Sequence, residues 1–199
     1  MTIQAVVFDI GGVLELTPST GWWEKWEGIL GLAAGELRKR PFSIWRGGSI
    51  GMLSEAEVQQ QLGQLLAISD AQVQAMMADM WEEYLGTLNV ELTNYFQNLR
   101  PAYRTAILSN SFVGAREREQ ARYGFADMCE LLIYSHEVGL QKPDPQIYQL
   151  TCTQLDLPPS AILFVDDSEV NVVAARAFGI TAVHFRNNQQ TIAEMEQYL

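Results

Sequence analysis

Cysteine, cationic side chains and long hydrophobic runs are all scarce in this sequence, and each shortage removes a class of function. Only two cysteines occur in 199 residues. Cys129 falls in a strand-like run and Cys152 on the apolar side of an expected helix, so both are expected as buried free thiols. Neither a disulfide framework nor a zinc or redox centre is supported. Lys and Arg number 13 against 24 Asp and Glu, for a net charge of −11. Nucleic acid and anionic lipid are bound largely through Lys and Arg contacts to phosphate, so neither is an expected partner. A small molecule is expected instead, and an anionic one needs local cations to hold it. The longest apolar runs, such as Ala161-Ile162-Leu163-Phe164-Val165, have strand length and fall short of the ~20 residues of a membrane span. The first residues lack the basic, then apolar, then small-residue order of a secretory signal, so the cytoplasm is the expected location.

What is present is enough apolar material, 48% of residues, for one sizeable core or a core carrying a smaller insertion. Apolar runs of strand length at Ala5–Phe8, 105–108, 130–134, 162–165 and 181–185 alternate with helical patterns. This alternation predicts an α/β fold, a Rossmann-like parallel sheet wrapped by helices. Asp144-Pro145 reads as an N-cap followed by proline at the first helical position. Ile147, Tyr148, Thr151, Cys152 and Leu155 then share one face. Gly179 closes a helix expected over 168–178.

Residues 16–88 interrupt this alternation and show no strand pattern. Ser54-x-x-Glu57 is a capping box ahead of Val58, Leu62, Leu65 and Leu66, and Ser69-x-x-Gln72 precedes Val73, Met76, Met77, Met80 and Tyr84. The expected organisation is a core domain of residues 1–15 and 89–199 with an all-helical cap domain, 16–88, inserted. All five tryptophans (Trp22, Trp23, Trp26, Trp45 and Trp81) lie in that insertion.

Polar groups at the carboxyl ends of neighbouring parallel strands meet in one crevice. Four such ends are chemically loaded here. Phe8-Asp9-Ile10-Gly11-Gly12 puts an acid at a strand tip, followed by two glycines whose amides can approach an anion. Leu108-Ser109-Asn110-Ser111 offers a hydroxyl and free amides where strand turns to helix. Lys142 sits on a proline-stiffened loop, and Asp166-Asp167 follow an apolar strand. Adjacent buried carboxylates need a cation, and hard oxygen donors suit Mg²⁺.

These segments, Asp9-x-Gly-Gly-Val-Leu, Ser109-Asn110, Lys142-Pro-Asp-Pro-x-Ile-Tyr and Asp166-Asp167, resemble the four ordered motifs of the haloacid dehalogenase superfamily over nearly the whole chain. The likeness is to the subgroup with a helical cap between the first two motifs. It implies Asp9 as nucleophile and Ser109, the Asn110 amide, Gly12 and Lys142 around the phosphoryl group, with Lys142 as the charge clamp. It implies Mg²⁺ on Asp9, the Gly11 carbonyl and mainly Asp167, with Asp166 assisting. Asn171 is a candidate for orienting metal-bound water, although a place on the helix surface is the favoured expectation. The implied activity is Mg²⁺-dependent removal of phosphate from a small phosphorylated metabolite, by a monomer or homodimer.

Phosphatases of this superfamily usually carry a second aspartate two residues after the nucleophile to protonate the leaving oxygen. Here that position is Gly11. The resemblance extends to a glucose-1-phosphate phosphatase-like branch with glycine at this position, so hexose 1-phosphates, acyl phosphates and other esters with easier leaving groups are expected substrates. Two alternatives are a 2-haloacid dehalogenase, which expels halide without a proton, and a metal-binding protein without activity. The Asp166-Asp167 pair favours the phosphatase, since a metal-free dehalogenase leaves two carboxylates unscreened. Glu15 is a conceivable substitute acid, with a solvated place at the cap hinge the favoured expectation.

The tryptophans are expected mainly as cap core; if any lines the site, Trp22, Trp23 and Trp26 are the expected ones. Met76, Met77 and Met80 are expected as helix core. His136 is expected to brace a loop and His184 to be structural. The basic run Arg38, Lys39, Arg40 is expected at a solvated helix end.

Overall fold

The computed structural model describes residues 2–199; Met1, the first residue of the expected core domain, lies outside the described residues. Five parallel strands form the main sheet: β1 (Ala5–Phe8), β4 (Arg104–Ser109), β5 (Leu131–Tyr134), β6 (Ile162–Asp166) and β7 (Thr181–His184), in the order β5-β4-β1-β6-β7. The expected runs all appear, with ends shifted by a residue. β1 is central, pairing Phe8 with Ile107 on one side and Val165 on the other. Asp9, one residue further on, therefore stands beside the ends of both neighbours.

Alternation along the strands divides the core between the two faces. Val6 and Phe8 pack with α6 (Val90–Asn98), α8 (Phe125–Met128) and α12 (Asn188–Met195), through Leu92, Phe96, Phe125 and Met195. Ala5 and Val7 pack with α10 (Pro145–Leu155) and α11 (Glu169–Phe178), through Ile147, Tyr148, Cys152, Val172 and Ala175. The remaining core helices are α7 (Ala115–Tyr123) and α9 (Ser135–Val138). Asp144 caps α10 by accepting from the Gln146 amide at 2.9 Å, with Pro145 in the first turn. Both cysteines are buried and free.

Within residues 16–88 five helices gather: α1 (Trp22–Leu30), α2 (Glu36–Lys39), α3 (Phe42–Ser49), α4 (Glu55–Leu66) and α5 (Asp70–Leu85). Both expected capping boxes form, at Ser54/Glu57 and Ser69/Gln72. The helices enclose their own apolar centre, including Trp22, Trp26, Leu62, Met76, Met77 and Trp81, and Phe112 from beyond β4 joins it. Most indole N–H groups are satisfied: Trp22 donates to the Met76 carbonyl at 2.9 Å, Trp26 to Asp79 at 2.8 Å, Trp45 to the Leu37 carbonyl at 3.1 Å and Trp81 to Glu55 at 3.0 Å.

The expectation of a strand-free insertion is corrected at its two ends. β2 (Glu15–Leu16) and β3 (Thr87–Leu88) form a two-residue antiparallel ribbon, too short to leave a periodic signal, which brings the entering and leaving chains side by side. The helices rest on the core through side chains, as where Arg118 pairs with Glu55, and through backbone. The Gly48 carbonyl accepts from the Val113 amide at 3.2 Å and the Ser49 carbonyl from Ser135 Oγ at 2.8 Å. A Cβ at Gly48 would collide with the Phe112 ring and one at Gly51 with the His136 carbonyl. No helix among the described residues is long and apolar enough to cross a membrane.

Candidate active site

Asp9, Ser109 and Asp166-Asp167 meet because their strands are neighbours, and Lys142 is delivered into the same space by the loop between α9 and α10. The Lys142 Nζ is buried and makes three contacts: Asp9 Oδ1 at 2.8 Å, Asp166 Oδ2 at 2.6 Å and the Leu108 carbonyl at 2.9 Å. The Ile10 amide also donates to Asp9 Oδ1, at 2.8 Å. One oxygen of Asp9 is thus held from two sides, which leaves Oδ2 free of protein donors.

Carboxylate oxygens of Asp9, Asp166 and Asp167 lie within 4.8 Å of one another. Three acids against one ammonium leave negative charge uncompensated. Burial, reinforced by Asp166, pushes the Asp9 carboxyl up to about 8 even though Lys142 pulls it down. Burial lowers the Lys142 ammonium, and the two aspartates more than reverse that. Burial and Asp166 also raise Asp167. A further cation here would favour the charged forms of Asp9 and Asp167.

The acids are not equivalent. Asp166 Oδ1 accepts from the Ser168 amide at 2.8 Å, and the Asn171 Nδ2 lies 3.0 and 3.2 Å from its two oxygens. With Lys142 on Oδ2, both Asp166 oxygens are engaged. Asp167 is exposed and makes no side-chain hydrogen bond, so it is the open donor. Asn171 is buried against Asp166 rather than lying on the helix surface, which corrects that expectation. His184 is paired with the Asp167 carbonyl at 2.8 Å, a structural contact.

The two glycines differ in kind. Gly12 adopts a positive φ of 76°, and a Cβ on it would collide with the Asp167 carboxylate. Its amide, expected to meet an anion, donates instead to the Glu15 carbonyl at 2.7 Å. Gly12 therefore makes room for Asp167 and closes the loop. The Gly11 amide and carbonyl have no partner among the described residues, and a Cβ on Gly11 would meet nothing within 4 Å. Ser109 is buried at the end of β4, and the Asn110 amide is likewise without a partner among the described residues.

Glu15 is not solvated, again a correction. It is 1% exposed, its Oε2 has no hydrogen-bond partner, and burial with help from Glu119 pushes its carboxyl up to about 9. Glu119 is equally enclosed, accepts from the Tyr134 hydroxyl, and is pushed up to about 7 by burial. His136 is paired with Ser111 Oγ at 2.6 Å, bracing the loop after β4.

A cavity of about 420 Å³ lies between the helical insertion and the sheet. Trp22, Trp23, Trp45, Met80, Tyr84 and Phe112 form its apolar wall, and Asn110, Ser111 and Gln141 border it next to Ser109 and Lys142. Trp22 and Trp23 stand where expected. Trp26 does not line it, and Trp45, from α3, does. Met80 faces the cavity as well as the helix core. Arg38 covers the Trp23 ring at 4.6 Å and Arg40 donates to the Leu65 carbonyl at 3.0 Å, so the basic run is spent at the end of α2.

The family model of haloacid dehalogenase-like hydrolases matches residues 3–179. Among curated proteins, the chain is 27% identical over 189 residues to D-ribitol-5-phosphate phosphatase of Bacteroides thetaiotaomicron, covering 89% of each. It is 26% identical over 219 residues to bifunctional epoxide hydrolase 2 of Sus scrofa, where it spans 99% of itself but 39% of that longer protein. A solved haloacid dehalogenase family enzyme of B. thetaiotaomicron, in complex with magnesium and inorganic phosphate, superposes with a TM-score of 0.77 at 23% identity, over 92% of this chain and 94% of that one. An aspartate at the tip of the central parallel strand, faced by a lysine and an acidic pair, is thus set in a hydrolase fold. The chain belongs to the haloacid dehalogenase-like hydrolases.

Proposed function

We propose that this hydrolase is a Mg²⁺-dependent phosphatase of a small phosphorylated metabolite, acting in the cytoplasm through an aspartyl-phosphate on Asp9. The observation that carries the reading is the uncompensated charge around Asp9, where three carboxylates share one ammonium within 4.8 Å. The donors are all hard oxygens, which fits Mg²⁺. Asp9, the Gly11 carbonyl and Asp167 would hold it, with Asp166 supporting from behind through Lys142 and Asn171. When bound, the ion supplies charge neutralisation that lets an anionic nucleophile approach an anionic phosphoryl group.

Asp9 Oδ2, the oxygen without protein donors, attacks phosphorus while Oδ1 stays fixed by Ile10 and Lys142. The Lys142 ammonium, Ser109 Oγ and the free amides of Gly11 and Asn110 offer positive partners to the phosphoryl oxygens. Water then releases phosphate and regenerates Asp9. The helices of 16–88 act as a cap that excludes bulk water during transfer. The dehalogenase alternative gives Asp167 no task.

Phosphate release from a panel of phosphorylated metabolites, with Mg²⁺ or EDTA, tests this for wild type and Asp9→Asn in parallel. Release that needs Mg²⁺ and vanishes in the variant is expected. Halide release from 2-haloacids without metal, or no release from any substrate, would refute it.

A further inference from the structure

The cavity beside the proposed phosphoryl site is lined by rings and carries no cation. Trp22 and Trp23 meet edge to face at 4.4 Å, and Trp45 stands 6.0 and 6.2 Å from them and 6.0 Å from Phe112. No Lys or Arg is among the lining residues, and the one carboxylate, Glu83, faces any guest that carries negative charge. A second anionic group on the substrate therefore has no partner there.

The polar lining atoms are mostly spoken for. Glu83 Oε2 accepts from the Thr20 amide and hydroxyl, and Ser49 Oγ donates to the Trp45 carbonyl at 3.0 Å. Ser111 Oγ is paired with His136. The Asn110 side chain bonds the Lys142 backbone at both ends, 2.8 Å each. Thr17, Gln141, the Trp23 indole N–H and Glu83 Oε1 remain, at scattered points of a wall that is otherwise apolar. A polyol would set hydroxyls against ring faces along most of this wall, whereas a flat ring meets the tryptophans on its faces and edges.

The leaving-group problem at Gly11 points the same way. Glu15 does not line the cavity, and Glu83, the carboxylate that does, accepts from the Thr20 amide and hydroxyl, so neither is set as a proton donor in place of the acid that Gly11 lacks. A phenol, with a pKa of ~10 like that of the tyrosine side chain, departs as its anion far more readily than an alkoxide, whose parent acid is nearer water at ~15.7.

Resting on the phosphatase reading, we propose that the group carried on the phosphate is an uncharged aromatic ring joined through a phenolic oxygen, seated against Trp22, Trp23, Trp45 and Phe112. Asp9 Oδ2 forms the new bond to phosphorus as the phosphorus–phenolic oxygen bond breaks. The bonding pair leaves on oxygen, and the phenolate takes its proton from solvent. Water then attacks the aspartyl-phosphate at phosphorus, giving inorganic phosphate, the Asp9 carboxylate and a proton released to solvent.

The test measures kcat/KM with Mg²⁺ for phenyl phosphate, 4-carboxyphenyl phosphate, ribitol 5-phosphate and cyclohexyl phosphate. The carboxylated ring has the better leaving group, so a preference for phenyl phosphate of about tenfold or more isolates the cavity from chemical reactivity. Ribitol 5-phosphate is expected at least about a hundredfold below phenyl phosphate. Trp45→Ala should raise KM for phenyl phosphate about tenfold and Trp45→Phe should restore most of it. Equal or better turnover of the carboxylated or polyol ester, dependent on Asp9, would overturn this inference and leave the phosphatase reading standing. Loss of all Asp9-dependent phosphate release across the panel would remove both.

Discussion

The side chain of Asn110 grips the backbone of Lys142 at both ends: its Oδ1 accepts from the Lys142 amide and its Nδ2 donates to the Lys142 carbonyl, each at 2.8 Å. Two motifs separated by 32 residues are thereby joined within one residue of their functional atoms. The ammonium reaches Asp9 from a fixed origin, not from a swinging loop. Asn110→Ala frees that loop. Two lost hydrogen bonds should cost roughly 1–2 kcal/mol of stability, and misplacement of the ammonium should cost about tenfold or more in kcat/KM. Urea denaturation and steady-state kinetics read the two effects separately; an unchanged kcat/KM would show that the grip does not position Lys142.

Among the described residues, Lys142 is the sole cation touching Asp9 and Asp166. Lys142→Met leaves Asp9 and Asp166 facing each other without it, and removing one member of a buried ion pair costs about 3–5 kcal/mol. Activity should disappear. Mg²⁺ should raise the thermal midpoint of the wild type and EDTA lower it, because an ion bound only by the folded chain stabilises it by mass action. A midpoint indifferent to Mg²⁺ would contradict the proposed metal site.

Gly11 and Gly12 make a matched pair of substitutions. Gly12→Ala puts a Cβ into the Asp167 carboxylate at a positive φ, and activity should fall by at least about a hundredfold. Gly11→Asp meets no obstacle and places an acid where the leaving oxygen departs. It should speed alkyl phosphates, with poor leaving groups, by about tenfold or more while changing aryl phosphates little. Equal effects on both ester classes would argue that proton donation is not what position 11 lacks.

The buried glutamates predict a pH dependence of stability. Glu119 is pushed up to about 7 and Glu15 to about 9, while in the unfolded chain both titrate near ~4.3. Between those values the folded protein keeps protons that the unfolded chain has lost, so stability is greatest in acid and drains as pH rises, through about 7 and then about 9. In EDTA, urea midpoints should fall from about pH 5 to about pH 9. Glu15→Gln should flatten the upper part of that fall, and a wild-type profile that rises across the window would refute the assignment.

The strands and their chemical tips are legible in the sequence because each is a contiguous run ending in a polar residue, and a parallel sheet then assembles the tips without further instruction. Lys142 is legible for the same reason, from its proline-bounded loop. Glu15 is not. Its carboxyl is raised partly by Glu119, 104 positions later, and it sits in a ribbon of two residues per strand, which has no periodicity to read. Gly12 misleads because two glycines after an acid look alike on paper, and only the turn to Glu15 decides which amide is free. Trp45 escapes notice because the cavity draws its wall from α1, α3, α5 and the segment after β4, and no local pattern links them.

The seating of the cap on the sheet through Gly48, Ser49 and Gly51 has an evolutionary consequence. On the cap side, main-chain atoms make those contacts, and every amino-acid sequence carries the same main chain. The tryptophans over the cavity, which take no part in them, can therefore be exchanged, one guest for another, without redrawing that joint, whereas Phe112 belongs to both. Selection has a free hand with the substrate and almost none with Gly48 and Gly51, whose missing side chains are what let the two halves meet.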